Sequence, residues 1–433
     1  MKQLFLMTLL MFYSLKALAQ QDTLVPKANQ RLDFATTYFE LGMGFSPAFT
    51  GKQLVNNQSI PFEHSASANP YFNWGGFHFW GHGEFYVSFP LGQLDFSPND
   101  KNKAKLTHSV ATGARFFPWK YQPNKLRPYV GVSWSALDFK QKIENEDNPV
   151  LSKDFMWVPE AGLLYGHGSF SLRVGVSYFH DNKWTYPVSK TRLEEITTPR
   201  FRVQAGLVYS FEGSKNNSAE LNKKWNSYKT ISKPGAGATH FGDFFMGVGP
   251  STSFSLAKSN YNQALLPYLK NKMTSEPYFD IALGYQFNKA GMFCALSFRN
   301  PIFTTSGYGT NQTIKKTSLA VEVNKFLTDY SGFVPYVGLN VAYDHLMYTE
   351  ETTQGSKKQT FAKIEPGLTI GWDILPGKTD EYLILRTNLR WYPLSSFEIE
   401  GKKFDFSQLE YNLIQLVFYP GRYLRWKKTK TKR

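Results

Sequence analysis

The sequence predicts an all-β fold: a transmembrane antiparallel β-barrel of about sixteen strands, arranged as two eight-stranded repeats over residues 36–211 and 240–420. Three observations predict it. Apolar and polar residues alternate along segments as long as a tilted membrane-crossing strand, roughly 9–11 residues. The connectors between segments alternate long and short. Several short motifs of the first half return at matching places in the second.

The chain opens with Lys2, an apolar run over residues 4–15, and the small-x-small triplet Ala17-Leu18-Ala19. This is the pattern of an export signal, so residues 1–19 are expected to be a signal peptide cleaved near Ala19. The single cysteine, Cys294, lies far from that site. A lipid-anchored N-terminus and an intramolecular disulfide are thereby excluded, and Cys294 reads as a small apolar wall residue.

Aromatic residues make up 17% of the chain and there are 33 glycines, yet the mean hydropathy is −0.37. Beyond the signal no apolar run is long enough for a membrane helix, which needs about 18 residues or more. A barrel hides its hydrophobicity from such an average, because only every second residue of a strand meets lipid.

In the fifth segment Val130, Val132, Trp134 and Ala136 share one face, and Tyr129, Gly131, Ser133 and Ser135 the other. The seventh sets Leu172, Val174, Val176 and Tyr178 against Arg173, Gly175 and Ser177. The eighth sets Phe201, Val203, Ala205, Leu207, Tyr209 and Phe211 against Arg202, Gln204 and Gly206. Aromatic clusters close strands where a membrane-interface girdle belongs: Phe116-Phe117-Pro118-Trp119, Tyr178-Phe179, Trp391-Tyr392-Pro393 and Phe418-Tyr419-Pro420. A soluble sandwich also alternates but has no use for such a girdle.

With a periplasmic N-terminus, the external connectors of the first half are 50–68, 93–106, 140–153 and 181–198, all long and polar. The inner turns are the short 81–83, 120–126 and 166–168. The second half keeps this parity, with external connectors 255–275, 303–316, 348–359 and 395–408 and inner turns 288–291, 327–333 and 375–380. Pro128-Tyr129-Val130-Gly131 returns as Pro335-Tyr336-Val337-Gly338, Glu160-Ala161-Gly162-Leu163 as Glu365-Pro366-Gly367-Leu368, and Arg173 as Arg386. Between the halves, the Lys/Asn/Ser-rich stretch 212–239 reads as a periplasmic linker. Tyr38-Phe39-Glu40-Leu41-Gly42, the Gly-Ala-Arg-Phe-Phe-Pro run at 113–118 and the Pro-Tyr-Val-Gly motif make each half resemble the outer-membrane β-barrel domain common in Bacteroidota. That domain is similar in size to the eight-stranded barrel of outer-membrane protein A. The resemblance covers most of both halves and implies a fold rather than an activity. The chain departs from it in the basic tail 421–433, which follows the terminal aromatic Tyr419.

Lumen-facing positions carry both signs of charge: Glu40, Glu84 and Glu160 with Arg115, Arg173 and Arg202, then Asp243, Asp280, Glu322 and Glu365 with Arg299, Arg386 and Arg390. A charge removed from water costs several kcal/mol unless paired, so ion pairs are expected. Glu160–Arg173 and Glu365–Arg386 are the candidates, since each lies on neighbouring strands and the arrangement repeats. Eight strands enclose little more than side chains, whereas sixteen enclose a water channel. Self-balanced charge in each half favours two tandem barrels, with one sixteen-stranded barrel as the alternative.

His180-Asp181 and Asp344-His345 are the nearest things to catalytic pairs, but adjacent strand residues point to opposite faces and neither is a dyad. No catalytic residue, cofactor site or metal site is assigned. The net charge of +15 suits nucleic acid in a soluble protein; behind an export signal it suits outer-membrane lipid and lipopolysaccharide phosphates. Lys101, Lys103 and Lys105 are candidates for contacts outside. On the periplasmic side Tyr423, Arg422, Arg425, Trp426, Lys427 and Lys428 are candidates for membrane-surface or partner contact, with a solvated tail as the plain alternative. The expectation is an integral outer-membrane protein, non-enzymatic, serving as a structural or accessory subunit beside other envelope proteins. The alternatives are a passive sixteen-stranded porin for small solutes and a surface hydrolase.

Overall fold

The computed structural model describes residues 36–431 except 56–57, 79–80, 97–103, 120–123, 142–150, 212–239, 258, 270–271, 330–332 and 375–381. The expected signal peptide and linker, with Lys101 and Lys103, lie outside the described residues. The first eight barrel strands are β1 (Thr36–Ser46), β2 (Ser67–His78), β3 (Gly83–Pro90), β4 (Ala111–Phe116), β5 (Leu126–Gln141), β6 (Leu151–His167), β7 (Phe170–Tyr178) and β8 (Phe201–Phe211). The second eight are β9 (Gly242–Ser255), β10 (Tyr278–Phe287), β11 (Met292–Arg299), β12 (Thr310–Phe326), β13 (Phe333–Thr352), β14 (Gly355–Ile374), β15 (Leu383–Tyr392) and β16 (Gln408–Phe418).

Within each set of eight, each strand pairs antiparallel with its sequence neighbours, and the set closes on itself. β1 meets β2, with Tyr38 opposite Gly75, and also β8, with Gly42 opposite Gly206. β9 likewise meets both β10 and β16. The result is two eight-stranded barrels; the single sixteen-stranded barrel, and the wide lumen its porin reading needs, is not formed.

Burial runs opposite to that of a soluble barrel. Along β7, Leu172 is 54% and Val174 45% exposed, while Arg173 between them is 0% exposed. Apolar side chains therefore face outward and polar ones inward, which is stable only where lipid replaces water around the wall. The aromatic clusters divide by the same alternation: Phe116 and Trp119 are exposed on the wall, whereas Phe117, Tyr392 and Tyr419 are buried. Cys294 sits half-buried in the wall of β11. No helix among the described residues is long and apolar enough to cross a membrane.

The long connectors, expected to be external, are more ordered than polar loops. Strands Lys183–Pro187, Leu193–Thr197, Phe49–Val55 and Gln58–His64 form a four-stranded sheet above the first barrel. Above the second, β12, β13 and β14 continue beyond the wall, and 348–359 is mostly strand rather than loop. Here α1 (Asn260–Leu265) is capped at its start by the Ser259 hydroxyl, which accepts from the Asn262 amide at 3.1 Å. A hairpin of Ser396–Ile399 and Lys402–Asp405 packs beside it.

The barrels stand side by side, touching through outward-facing aromatic residues. Phe85 of β3 stacks on Phe333 of β13 with ring centres 5.3 Å apart, and Trp134 of β5 meets Tyr411 of β16 edge-on at 6.1 Å. The Tyr411 hydroxyl donates to Thr112 Oγ1 of β4 at 2.8 Å.

Candidate functional site

The lumen of the first barrel holds an alternating chain of charge. Arg115 on β4 bridges Glu160 on β6 (2.9 Å) and Glu84 on β3 (2.7 Å). Arg173 on β7 continues from Glu84 (2.9 Å) to Glu40 on β1 (3.4 Å). Tyrosine and amide groups complete the carboxylates. Tyr38 donates to Glu84, Tyr86 to Glu160, Tyr71 to Glu40 at 3.1 Å and Asn73 to Glu40 at 2.9 Å. The Arg115 guanidinium also lies 3.8 Å over the Tyr86 ring.

This corrects the expected Glu160–Arg173 pair. Glu160 faces Ser177 across the β6–β7 ladder, while Arg173 faces Leu164; at about 3.3 Å per residue the two lie roughly 13 Å apart along the strands. An eight-stranded interior is narrow enough for a long side chain to reach a strand on the far side. β3 is diametrically opposite β7, and there Arg173 finds Glu84.

The second barrel repeats the principle with other residues. Arg390 of β15 binds Asp280 of β10 (2.5 Å) and Glu322 of β12 (2.7 Å). Arg299 of β11 pairs with Glu410 of β16, and Lys316 of β12 lies between Glu410 (2.9 Å) and Asp344 (2.7 Å). The expected Glu365–Arg386 pair is likewise corrected. Arg386 forms a two-point bridge to Asp373, its direct cross-strand partner, at 2.7 and 2.8 Å. Glu365 sits about 26 Å further along β14, buried near Asp344, Lys316 and Lys363.

Strand glycines make room for this filling. A Cβ on Gly162 or Gly175 would fall 2.5 or 2.2 Å from the Tyr129 hydroxyl oxygen, so the ring lies against bare backbone of β6 and β7.

In each barrel the mouth on the side of the long connectors is closed by an apolar cluster. Over the first barrel Phe49, Phe62, Phe139, Phe179, Trp184 and Tyr186 pack together. Over the second Tyr261, Phe303, Tyr348, Phe397, Phe404 and Phe406 do the same. Glu350 accepts from both Tyr261 (3.0 Å) and Tyr348 (2.5 Å), and Asn262 and Gln312 exchange amide hydrogen bonds at 2.8 and 2.9 Å. Burial and the Glu350 carboxylate push the Tyr261 phenol up to about 12. Composition alone concealed these caps; the available signal was aromatic residues at alternate positions inside otherwise polar connectors.

The basic tail is a helix, α2 (Pro420–Thr431), at the end of the second barrel away from the long connectors. Arg422 and Arg425, one turn apart, both reach Asp243 of β9, at 2.8 and 2.5 Å. Trp426 packs on Tyr423 and Tyr382 at 5.9 and 5.2 Å, while Lys427 and Lys428 are exposed. The solvated-tail alternative is therefore corrected: Asp243 supplies a fixed anchor for its first two turns. Lys105 is exposed.

Asp344 is in the lumen on Lys316, whereas His345 faces outward; His180 and Asp181 are exposed at the first rim. Neither dipeptide forms a dyad. Among the described residues no group of three or more His, Cys, Asp or Glu side chains is placed to hold a metal.

No family model and no curated protein matches the chain. Among solved structures it is similar to Neisserial surface protein A, at 12% identity and a TM-score of 0.29, over 40% of this chain and 96% of that one. It is similar to Ail, the attachment invasion locus protein of Yersinia pestis, at 11% identity and a TM-score of 0.28, over 42% of this chain and 99% of that one. OmpT, an outer membrane protein of Vibrio cholerae, aligns over 89% of this chain and 100% of its own at 10% identity and a TM-score of 0.16. On the strand pairing given above, this chain is two closed eight-stranded antiparallel barrels in tandem, with the inverted polarity of an outer-membrane barrel.

Proposed function

We propose that the protein is a closed, non-enzymatic component of the outer membrane, a structural or accessory subunit that acts through its external caps and its inner basic helix. The observation that carries this reading is the double obstruction of each barrel. A salt-bridged lumen lies beneath a packed aromatic cap, and charges so paired contribute to rigidity rather than to conduction. The exposed surface left for partners is the cap exterior and the face of α2 that carries Lys427 and Lys428. Those cations suit phospholipid headgroups, with Tyr423 and Trp426 at the interface level, and the caps suit lipopolysaccharide or other envelope proteins.

Planar-bilayer recording on folded protein, run alongside affinity purification from gently solubilised envelopes, tests the reading. Electrical silence with stoichiometric envelope partners is expected. Large, steady conductance steps overturn the closed barrel, and hydrolysis of lipid or peptide by the purified protein overturns the non-enzymatic role.

A further inference from the structure

Between the charge network and the cap of the first barrel lies a polar chamber that neither of them fills. It is a small cavity of about 30 Å³, partly open to solvent. Its floor includes Tyr71, already bonded to Glu40, and its roof includes Val158 and Phe179 of the cap. Between these the polar lining is Asn69, Ser88, His108, Ser109, Ser133 and the guanidinium of Arg202; Asn69 already donates to Ser46 and Ser67 at 3.5 Å and Ser109 to Asp138 at 3.2 Å, which leaves Ser88 and Ser133 as the hydroxyls beside the cation. Beside it the wall is interrupted at Ser109 and Val110, between β4 and a strand Ala104–His108 that continues the ladder on β5.

Arg202 differs from the other lumen arginines. Arg115 and Arg173 each bridge two carboxylates, whereas among the described residues no ion pair or hydrogen bond engages Arg202, and its Nε is buried without a partner. Glu160, the carboxylate that acts on it electrostatically, is already bound by Arg115 and Tyr86. The side chain is held rather than loose: it lies across Gly44 of β1, where a Cβ would fall 3.0 Å from Arg202 Cδ. A fixed cation sharing a confined space with hydroxyl groups is an arrangement that recognises an oxyanion.

We infer that this chamber is a binding site for a small oxyanion of the phosphate class, held by Arg202 with the Ser88 and Ser133 hydroxyls beside it. The same chemistry is offered by free phosphate and by the headgroup of a phospholipid. The inference is independent of the accessory role proposed above, since it concerns the interior of one barrel.

Detergent-folded full-length protein in phosphate-free buffer is titrated with inorganic phosphate by calorimetry, and separately with a soluble short-chain phosphatidate. Saturable one-site binding is expected, weakened at least tenfold in Arg202→Gln and unchanged in Arg192→Gln, which alters an exposed cap residue. Gly44→Ala keeps the charge but displaces its stem, and it also weakens binding; this variant carries the test should Arg202→Gln fail to fold. Binding of phosphate identifies a free anion as the ligand. Binding of phosphatidate alone, lost in the same variants, identifies a headgroup. Absence of saturable binding by either probe, or equal binding by the variants, overturns the site.

Discussion

Tyr411 and Thr112 belong to different barrels, and the hydroxyl of one donates to the other at 2.8 Å across their outer walls. Each side chain occupies a wall position that would otherwise meet lipid. A hydrogen bond in this setting contributes about 0.6–2 kcal/mol. Tyr411→Phe is expected to loosen the barrels from each other without opening either one. Spin labels placed on the two walls should show a broadened inter-barrel distance, with unchanged heat resistance of each barrel. An unchanged distance distribution sinks the idea.

Among the described residues Arg115 is the only arginine that pairs with Glu160, so a double-mutant cycle separates the observed network from its alternative. Glu160→Gln and Arg115→Ala should couple strongly, and Glu160→Gln with Arg173→Ala weakly. Removing Arg115 alone leaves Glu160 without its ion pair and halves the pairing of Glu84, at a cost of about 3–5 kcal/mol. Loss of heat-resistant mobility on detergent gels is the readout.

In the second lumen the two acids of β14 should behave oppositely. Asp373→Asn breaks a two-point bridge and leaves Arg386 buried, so a loss of about 3 kcal/mol is expected. Glu365→Gln removes a negative charge beside Asp344 and should be neutral or stabilising. Denaturant midpoints of the two variants, compared side by side, decide the matter.

The α2 anchor can be released without touching the exposed lysines. In Arg422→Ala combined with Arg425→Ala, Asp243 loses both guanidinium partners. Trypsin should then remove the tail from intact barrels many times faster than in the parent protein. Equal cleavage rates would mean that the helix is held by Tyr423 and Trp426 alone.

The cap of the second barrel should be sensitive to alkali. Tyr261 keeps its proton up to about pH 12 in the fold, against roughly 10 when unfolded. Its contribution is fully present below pH 10 and is lost as pH rises from 10 to 12, where only the folded form still binds the proton. Resistance of the cap to denaturant should fall across that window, and Tyr261→Phe should flatten the fall.

Much of this architecture was legible in the residues. The alternation of Leu172, Arg173 and Val174 identifies wall and lumen directly, and the parity of connector lengths gives the strand order. What sequence could not supply was register. Glu160 and Arg173 lie on adjacent strands, but partners are decided by height and by reach across the lumen, which depend on how the barrel closes. The same gap hid the caps, since Phe49, Trp184 and Phe397 acquire neighbours only when distant connectors converge. In the tail, Arg422 and Arg425 at one-turn spacing were the available sign of a helix with a fixed acid beneath it.

Side-by-side contact through Phe85, Phe333 and Trp372 also bears on how the molecule sits in its bilayer. Two barrels in contact along their walls cannot tilt independently, so their apolar belts must be level with one another. A local change of membrane thickness, which a lone barrel would accommodate by leaning, instead loads the seam between the pair. The seam is then the place where bilayer strain is felt first.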